Sequence, residues 1–408
     1  MSARRTPDLA QALARAHAWL RSCYKAGSQA TGWGHHHDED PTEWGGTLDG
    51  IRGMIAMKEE PNSPLLAGAA QWLKSRQNPD GGFPSREMTY SPAEGTAWVI
   101  IALRDMGWTN VNDEAVAKAV GYLERCVDAQ GAAATTPDDI GHPRTLPTAL
   151  TLWAMARQEG LDTLTAQMTT RLKDMQEPES KGWGIRVGAA PNAATTAQVL
   201  HAVRVAGVRE DTGWVRDGVA YLLARQLADG SFQNSYDEWF TKELKGVPSR
   251  CVHLGTGWAL LALTDFPDDP RCREAADHAA RYLLDHQRPS GAWLFEEHDP
   301  MEYVWCTTQI MVALTCWDAG RRQGGASARD LVASITGWLR ESFLYLAVGG
   351  LVMAQIWPYF RPFLAAVFGN FRLDISGIWT NIISSAIWAL FALGVAWLGR
   401  RIHRRSSH

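Results

Sequence analysis

An internal repeat constrains this sequence more than any other feature. The segments Gln77-Asn-Pro-Asp-Gly-Gly-Phe83, Gln226-Leu-Ala-Asp-Gly-Ser-Phe232 and Gln287-Arg-Pro-Ser-Gly-Ala-Trp293 nearly superimpose. Weaker copies are Gln176-Glu-Pro-Glu-Ser-Lys-Gly-Trp183 and Ala129-Gln-Gly131, and Thr31-Gly-Trp33-Gly opens the series. Their glycines recur about every 50 residues, with one longer step before Gly291. A period of this size means one supersecondary unit copied along the chain, each copy burying its apolar face against the next.

Each motif follows an apolar-periodic stretch, such as Leu65–Arg76, Glu114–Val127, Val215–Gln226 or Arg273–His286. The motif has the chemistry of a helix stop. Glycine supplies a positive φ, Asp or Asn bonds the turn, and an aromatic side chain packs back onto the helix. After a variable loop a second, more apolar helix is expected in every copy. These helices are placed to start at Thr47, Thr96, Thr148, Thr196, Thr256 and Thr307, with a small residue six positions later: Gly53, Ala102, Ala154, Ala202, Ala262 and Ala313. The threonines read as N-caps that also pack an inner wall. One amphipathic and one nearly all-apolar helix per repeat imply an outer and an inner layer. Six such hairpins can close into a ring that needs no capping repeat. The expected fold is therefore all-α, an (α/α)6 toroid of six helical hairpins over residues 1–325.

The composition changes sharply beyond residue 340. Phe343–Phe360 and Ile378–Leu398 carry no charge, and each is about long enough to cross a hydrocarbon core of roughly 30 Å. Trp357, Tyr359, Trp379 and Trp397 stand near their ends, where amphipathic rings favour the headgroup region. Residues 326–341 then read as a linker, and 342–408 as a two-helix transmembrane hairpin with a basic tail. Arg400, Arg401, Arg404 and Arg405 close the chain and Arg329 and Arg340 precede the first span, whereas the connector offers only Arg361 and Arg372. That asymmetry places the toroid and the C-terminus on the cytoplasmic side of an inner membrane. The stretch Pro362–Phe371 reads either as interfacial or as an extension of the first span. Buried core helices are the alternative to membrane spans. The first twenty residues lack a continuous apolar stretch, so no signal peptide is expected.

Lys and Arg total 40 against 44 Asp and Glu, a net charge of −4 that argues against nucleic acid as a partner. Six cysteines lie far apart with no CxxC pair, which favours a reducing compartment over a disulfide or zinc scaffold.

Q-x-x-D-G-S-F (Gln226 to Phe232) and QNPDGGF (Gln77 to Phe83) resemble the QW-type repeats of the terpenoid cyclase and protein prenyltransferase toroids, over about residues 8 to 320. The resemblance implies chemistry where the inner helices begin. Class II terpene cyclases carry DxDDTA there, the middle acid protonating an alkene. The second repeat here reads Pro92-Ala-Glu-Gly-Thr-Ala97, leaving Glu94 alone at the protonating position, and the first reads Glu43-Trp-Gly-Gly-Thr47. Glu43 and Glu94 are thus the candidate catalytic acids. A carboxylate near a helix N-terminus is also favourable on dipole grounds alone. The zinc triad of the prenyltransferases has Cys251, His253 and Cys306 near the corresponding helix starts, out of register, with Asp237 in the preceding loop. No metal and no cofactor are expected.

The inner wall offers Trp44, Trp98, Trp153, Trp258 and Trp305, with Arg144, Asn192 and His253 as polar candidates for ligand binding. Such a lining suits an isoprenoid-like chain or an apolar peptide, and equally the packing of a helical barrel. His35-His-His37-Asp-Glu-Asp40 reads as a loop or a metal site. Asp138-Asp139 with His142 and Arg144 reads as a solvated loop or a diphosphate or peptide site, and Glu296-Glu297-His298-Asp299 as another loop. The insertion Ser231–Arg250 reads as a lid or an ordinary loop.

Three functions follow. One is a non-catalytic toroid that senses a ligand or protein and acts through its membrane hairpin, as a bacterial antiviral-defence effector would. Gly349-Gly350 and Ser384-Ser385 would then let spans pack into a homo-oligomer within the lipid bilayer. The second is a membrane-associated isoprenoid cyclase or prenyltransferase with Glu94 as acid. The third is a peptidase-like or carbohydrate-active barrel using Glu43 and Glu94 as an acid–base pair.

Overall fold

The apolar periodicity of the repeats folds as alternating outer and inner helices. In the computed structural model the described residues are 8–27, 30–41, 44–84, 90–233, 252–295 and 301–322. The outer helices are α1 (Leu9–Ser22), α3 (Pro64–Ser75), α5 (Glu114–Cys126), α7 (Asp162–Asp174), α9 (Gly213–Leu223) and α11 (Pro270–Asp285). The inner ones are α2 (Trp44–Ala56), α4 (Ala93–Asp105), α6 (Thr145–Met155), α8 (Ala193–Val205), α10 (Val252–Thr264) and α12 (304–322). A short hairpin, β1 (Tyr24–Ala26) against β2 (Thr31–Trp33), joins α1 to α2.

The two layers differ as the sequence pattern requires. Helix α5 buries Val116, Ala119, Val120, Leu123 and Cys126 on one side, and Asp113 caps it by accepting from the Ala115 and Val116 N–H groups. Helix α6 buries Thr145 and every residue from Pro147 to Met155, because neighbours cover it all round. The inner helices pack in chain order, α2 on α4, α4 on α6, α6 on α8 and α8 on α10. Helix α12 returns to α2, where a Cβ on Gly53 would lie 3.0 Å from the Thr308 hydroxyl.

The threonines act differently from the N-caps expected of them. The inner helices begin three or four residues earlier, so each threonine lies inside the first turn. There its hydroxyl accepts the backbone N–H of a residue at or just beyond the end of the preceding motif. The six bonds are Trp33 to Thr47, Phe83 to Thr96, Ala133 to Thr148, Trp183 to Thr196, Phe232 to Thr256 and Trp293 to Thr307, at 2.9–3.1 Å. Trp33, Trp183 and Trp293 also donate their indole N–H to a carbonyl near the end of their own outer helix, at Leu20, Leu172 and Leu283.

The motif glutamines join the repeats. Gln77 donates both to Gly81 O in its own turn and to Ala115 O on α5; Gln176 does the same to Lys181 O and Trp214 O. Gln226 reaches Gly230 O and Ala275 O. Gln287 reaches Gly291 O and Ala12 O, so the last motif bonds the first helix and the ring closes. Closure is reinforced by Arg15 to Gln287 Oε1, by Trp19 Nε1 to Glu302 and by Val304 N–H to His35 O. Cys23, Cys126 and Cys272 are buried in the outer layer, and burial pushes their thiols up to about 12, so they serve as apolar packing.

The chain divides into two compact units, Met1–Ala326 and Ser327–His408. The expected spans 343–360 and 378–398 and the linker from 326 lie outside the described residues. Among the described residues no helix is long and apolar enough to cross a membrane.

Two stability measurements check this account. Thr196→Val removes the acceptor of the buried Trp183 N–H and should cost about 1–3 kcal/mol in thermal or denaturant unfolding, with Thr196→Ser recovering most of it. Gly291 and Gly107 both have positive φ, +104° and +90°, but a Cβ at 291 would lie 2.4 Å from Arg15 O while one at 107 meets nothing within 4 Å. Gly291→Ala should therefore lower Tm clearly more than Gly107→Ala, the excess reporting the ring closure.

Candidate ligand-binding site

Each inner helix begins beside its own motif, and four of the motifs are bonded to the next outer helix. The six helix starts therefore gather at one end of the ring. Glu94 is the second residue of α4 at that end. Its Oε1 stands 3.4 Å from the Arg144 guanidinium, and its side chain keeps 21% of its exposure. Oε2 is enclosed without a hydrogen-bond partner. Withdrawal from water dominates and holds this carboxyl above the usual range, with a backbone hydrogen bond and Arg144 pulling it partly back.

Arg144 is the N-cap residue of α6 and also reaches the Thr135 hydroxyl at 3.3 Å. It forms one wall of an open cleft of about 740 Å³ whose other walls include Tyr90, Arg125, Thr136, Asp138 and Asp139. The structure thus brings Asp138, Asp139 and Arg144 to one surface that adjoins Glu94. His142 pairs with Asp139 at 2.8 Å.

One turn deeper than Glu94 lies Trp98, on the same face of α4. Its ring centroid is 5.1 Å from Trp153 and 5.7 Å from Trp258, and those two are 6.2 Å apart. Trp98 remains half-buried, whereas Trp153 and Trp258 are 4% and 5% exposed. The three indoles therefore fill the ring where these inner helices face one another. His201 meets Trp153 edge-on at 4.5 Å and pairs with Asp265 at 2.7 Å.

Sequence reasoning missed Arg52. It lies on inner helix α2, is 3% exposed, and sets its guanidinium 4.7 Å from the Trp98 centroid and 5.4 Å from Trp153. The available signal was a lone arginine within an otherwise apolar inner stretch, Ile51-Arg52-Gly53-Met54-Ile55.

The other candidates separate from this site. Asn192 is the N-cap of α8, its Oδ1 accepting the Thr195 N–H at 2.8 Å, which gives it a helix-capping role. His253 Nδ1 and the Cys306 thiol converge on one carbonyl, that of Leu294, at 2.8 and 3.5 Å. Trp305 packs on Phe295 and Tyr303, at 5.1 and 5.7 Å. Glu43, Asp237, Cys251, 296–299 and the insertion from 234 lie outside the described residues, as does the side chain of Trp44. The His35–Asp40 run lies at the ring seam. There His36 meets Tyr303 at a tilt, with ring centroids 4.8 Å apart, His37 contacts Ser22 and Asp38, and a cleft of about 670 Å³ opens beside Trp19 and Glu302. Among the described residues no group of three His, Cys, Asp or Glu side chains is placed to hold a metal ion.

A closed ring of alternating outer and inner helices defines an α/α toroid. Residues 1–154 and 147–303 match the squalene-hopene cyclase C-terminal domain, and the chain belongs to that family. A lanosterol synthase of Aspergillus fumigatus is 24% identical over 263 residues, 61% of this chain. The chain spans 31% of that relative's length. Among solved structures, the type II terpene cyclase MstE of Scytonema, bound to geranylgeranyl dihydroxybenzoate, has a TM-score of 0.56 at 18% identity, covering 76% of this chain and 98% of its own. A protein from Actinoplanes scores 0.56 at 18% identity over 76% of this chain and all (100%) of its own. An α-1,6-mannanase of Salegentibacter sp. scores 0.56 at 11% identity, covering 77% and 100%. At these identities the structural likeness speaks for the fold.

The environment of Glu94 has a pH signature. A carboxyl whose folded pKa is raised holds its proton more tightly in the folded chain, so its contribution is full at low pH and is lost as pH rises through the raised value. Glu94→Gln should therefore gain Tm over the unmodified protein as pH rises from about 4 to about 8, and the two should converge at the acid end.

Proposed function

We propose that this toroid binds an isoprenoid-type ligand without cyclising it, and that occupancy is passed to a two-span membrane segment within 342–408 of an inner-membrane protein. The carrying observation is the lone carboxyl of Glu94. Its flanking positions hold Pro92 and Gly95 where the cyclase motif has further acids, and its one charged partner among the described residues is the cation of Arg144. Protonating an alkene takes a carboxyl strengthened by a second one, and a guanidinium at 3.4 Å favours the ionised form. In this reading an apolar chain rests against the partly exposed Trp98, with its polar end at Arg144. The cytoplasmic toroid, the membrane-effector role and oligomerisation through the spans belong to the same proposal and draw on the charge asymmetry of residues 329–405.

A second reading, a membrane-associated isoprenoid cyclase with Glu94 as general acid, is favoured by the enclosed, unpartnered Oε2. Native mass spectrometry of the detergent-purified full-length protein, with lipid extraction, separates the two. Binding without cyclisation predicts a stoichiometric polyprenyl or terpenoid species recovered unchanged after incubation, and retained by Glu94→Gln. A cyclised product that falls at least about 100-fold in Glu94→Gln would establish the enzyme instead. A protein that carries no such species would overturn both.

A further inference from the structure

A guanidinium withdrawn from water ordinarily takes a bidentate carboxylate. Arg52 does not. Asp49 stands 3.9 Å away and Asp105 4.0 Å, both beyond hydrogen-bonding reach, and Nε has no hydrogen-bond partner. What faces the guanidinium is indole, Trp98 at 4.7 Å and Trp153 at 5.4 Å, with Trp258 completing a mutually touching trio. Tryptophan is the strongest aromatic partner for a cation, and the attraction grows as water is excluded. The carboxylates of Asp49 and Asp105, the latter shared with Arg104, and of Asp265 behind His201 add negative charge around the guanidinium.

We propose that Trp98, Trp153 and Trp258 form a cation-binding cage whose resident is the chain's own Arg52. By filling the cage, Arg52 sets the chemical class of ligand the ring accepts: a neutral apolar chain can rest above it, and an organic cation finds its place taken. The second clause rests on the proposed binding function; the cage itself does not. Arg52 is the ninth residue of α2 and Glu94 the second of α4. At 1.5 Å per residue Trp98 lies about 6 Å and the backbone of Arg52 about 10 Å below the level of Glu94, so the two sites can be tested apart.

The test titrates the full-length protein in detergent with tetramethylammonium chloride, against sodium chloride at equal ionic strength, following tryptophan fluorescence and Tm. The unmodified protein should not respond. Arg52→Met should acquire a saturable response at roughly millimolar concentration, at least tenfold tighter than any response of the parent. Arg52→Lys should stay unresponsive, because its ammonium still occupies the cage, and Arg52→Met/Trp98→Leu should lose the response. An equal response in the parent, a folded Arg52→Met that stays silent, or a response that survives Trp98→Leu would each overturn the proposal. If Arg52→Met is unfolded in sodium chloride, the proposal requires tetramethylammonium to restore its folding transition; no restoration overturns it as well. Since no isoprenoid enters this experiment, its failure would leave the binding function standing, and loss of that function would leave the cage standing.

Discussion

One hydrogen bond, made six times, sets the geometry on which the rest of the ring depends. It runs from a backbone N–H at or just beyond the end of each turn motif to a threonine hydroxyl in the first turn of the next inner helix. A buried N–H must find an acceptor, and a hydroxyl inside a helix turn supplies one without interrupting the helix. Every inner helix is thereby pinned at the same height beside its motif. Glutamines then bond four of the six motifs to the next outer helix, the last of them to α1, so a local constraint becomes a closed ring. Valine at these positions would keep the packing and lose the register, which is why threonine recurs where apolar residues otherwise dominate.

Pinning the helix starts at one level has an electrostatic consequence. Six helix N-termini, each with unsatisfied N–H groups and a partial positive charge, face the same end. The side chains found there answer to that field. Asn192 turns its oxygen to the first turn of α8, and Glu94 lies in the first turn of α4. Farther in, the field fades, and the ring is filled by indoles and by the Arg52 guanidinium they enclose. The interior is thus graded from a polar upper rim to an aromatic middle layer, and below it to the Arg104–Asp105 and His201–Asp265 pairs. A ligand with one polar end and an apolar body fits the upper part of that gradient.

Glu94 lies in a setting that pulls in two directions. Enclosure raises its affinity for a proton, while Arg144 lowers it. In a cyclase, coupled carboxylates resolve that conflict in favour of a strong acid. Here a cation stands where a second acid would be needed, and Arg144 opens instead onto the cleft lined by Asp138 and Asp139. Binding of a polar end group at Arg144 and ionisation of Glu94 are therefore linked through a shared partner.

The sequence by itself determined the repeat, the alternation of outer and inner helices, the small residues of the inner wall and the turn glycines. These follow from period, apolar pattern and backbone conformation, which are local properties. It also marked Trp98, Trp153 and Trp258, which the fold brings together, while Trp305 packs elsewhere against Phe295 and Tyr303. Helix boundaries were set three or four residues late, since threonine is a good N-cap in isolation and only the neighbouring motif shows that its hydroxyl is used elsewhere. The His35–Asp40 run had ligand chemistry in sequence, yet the fold uses it to close the ring against Tyr303 and Val304, a contact between residues more than 260 positions apart. Arg52 was invisible for the same reason. Whether a lone arginine on an apolar helix points to water or over two indoles depends on which helices face it, and that is decided only when the ring closes.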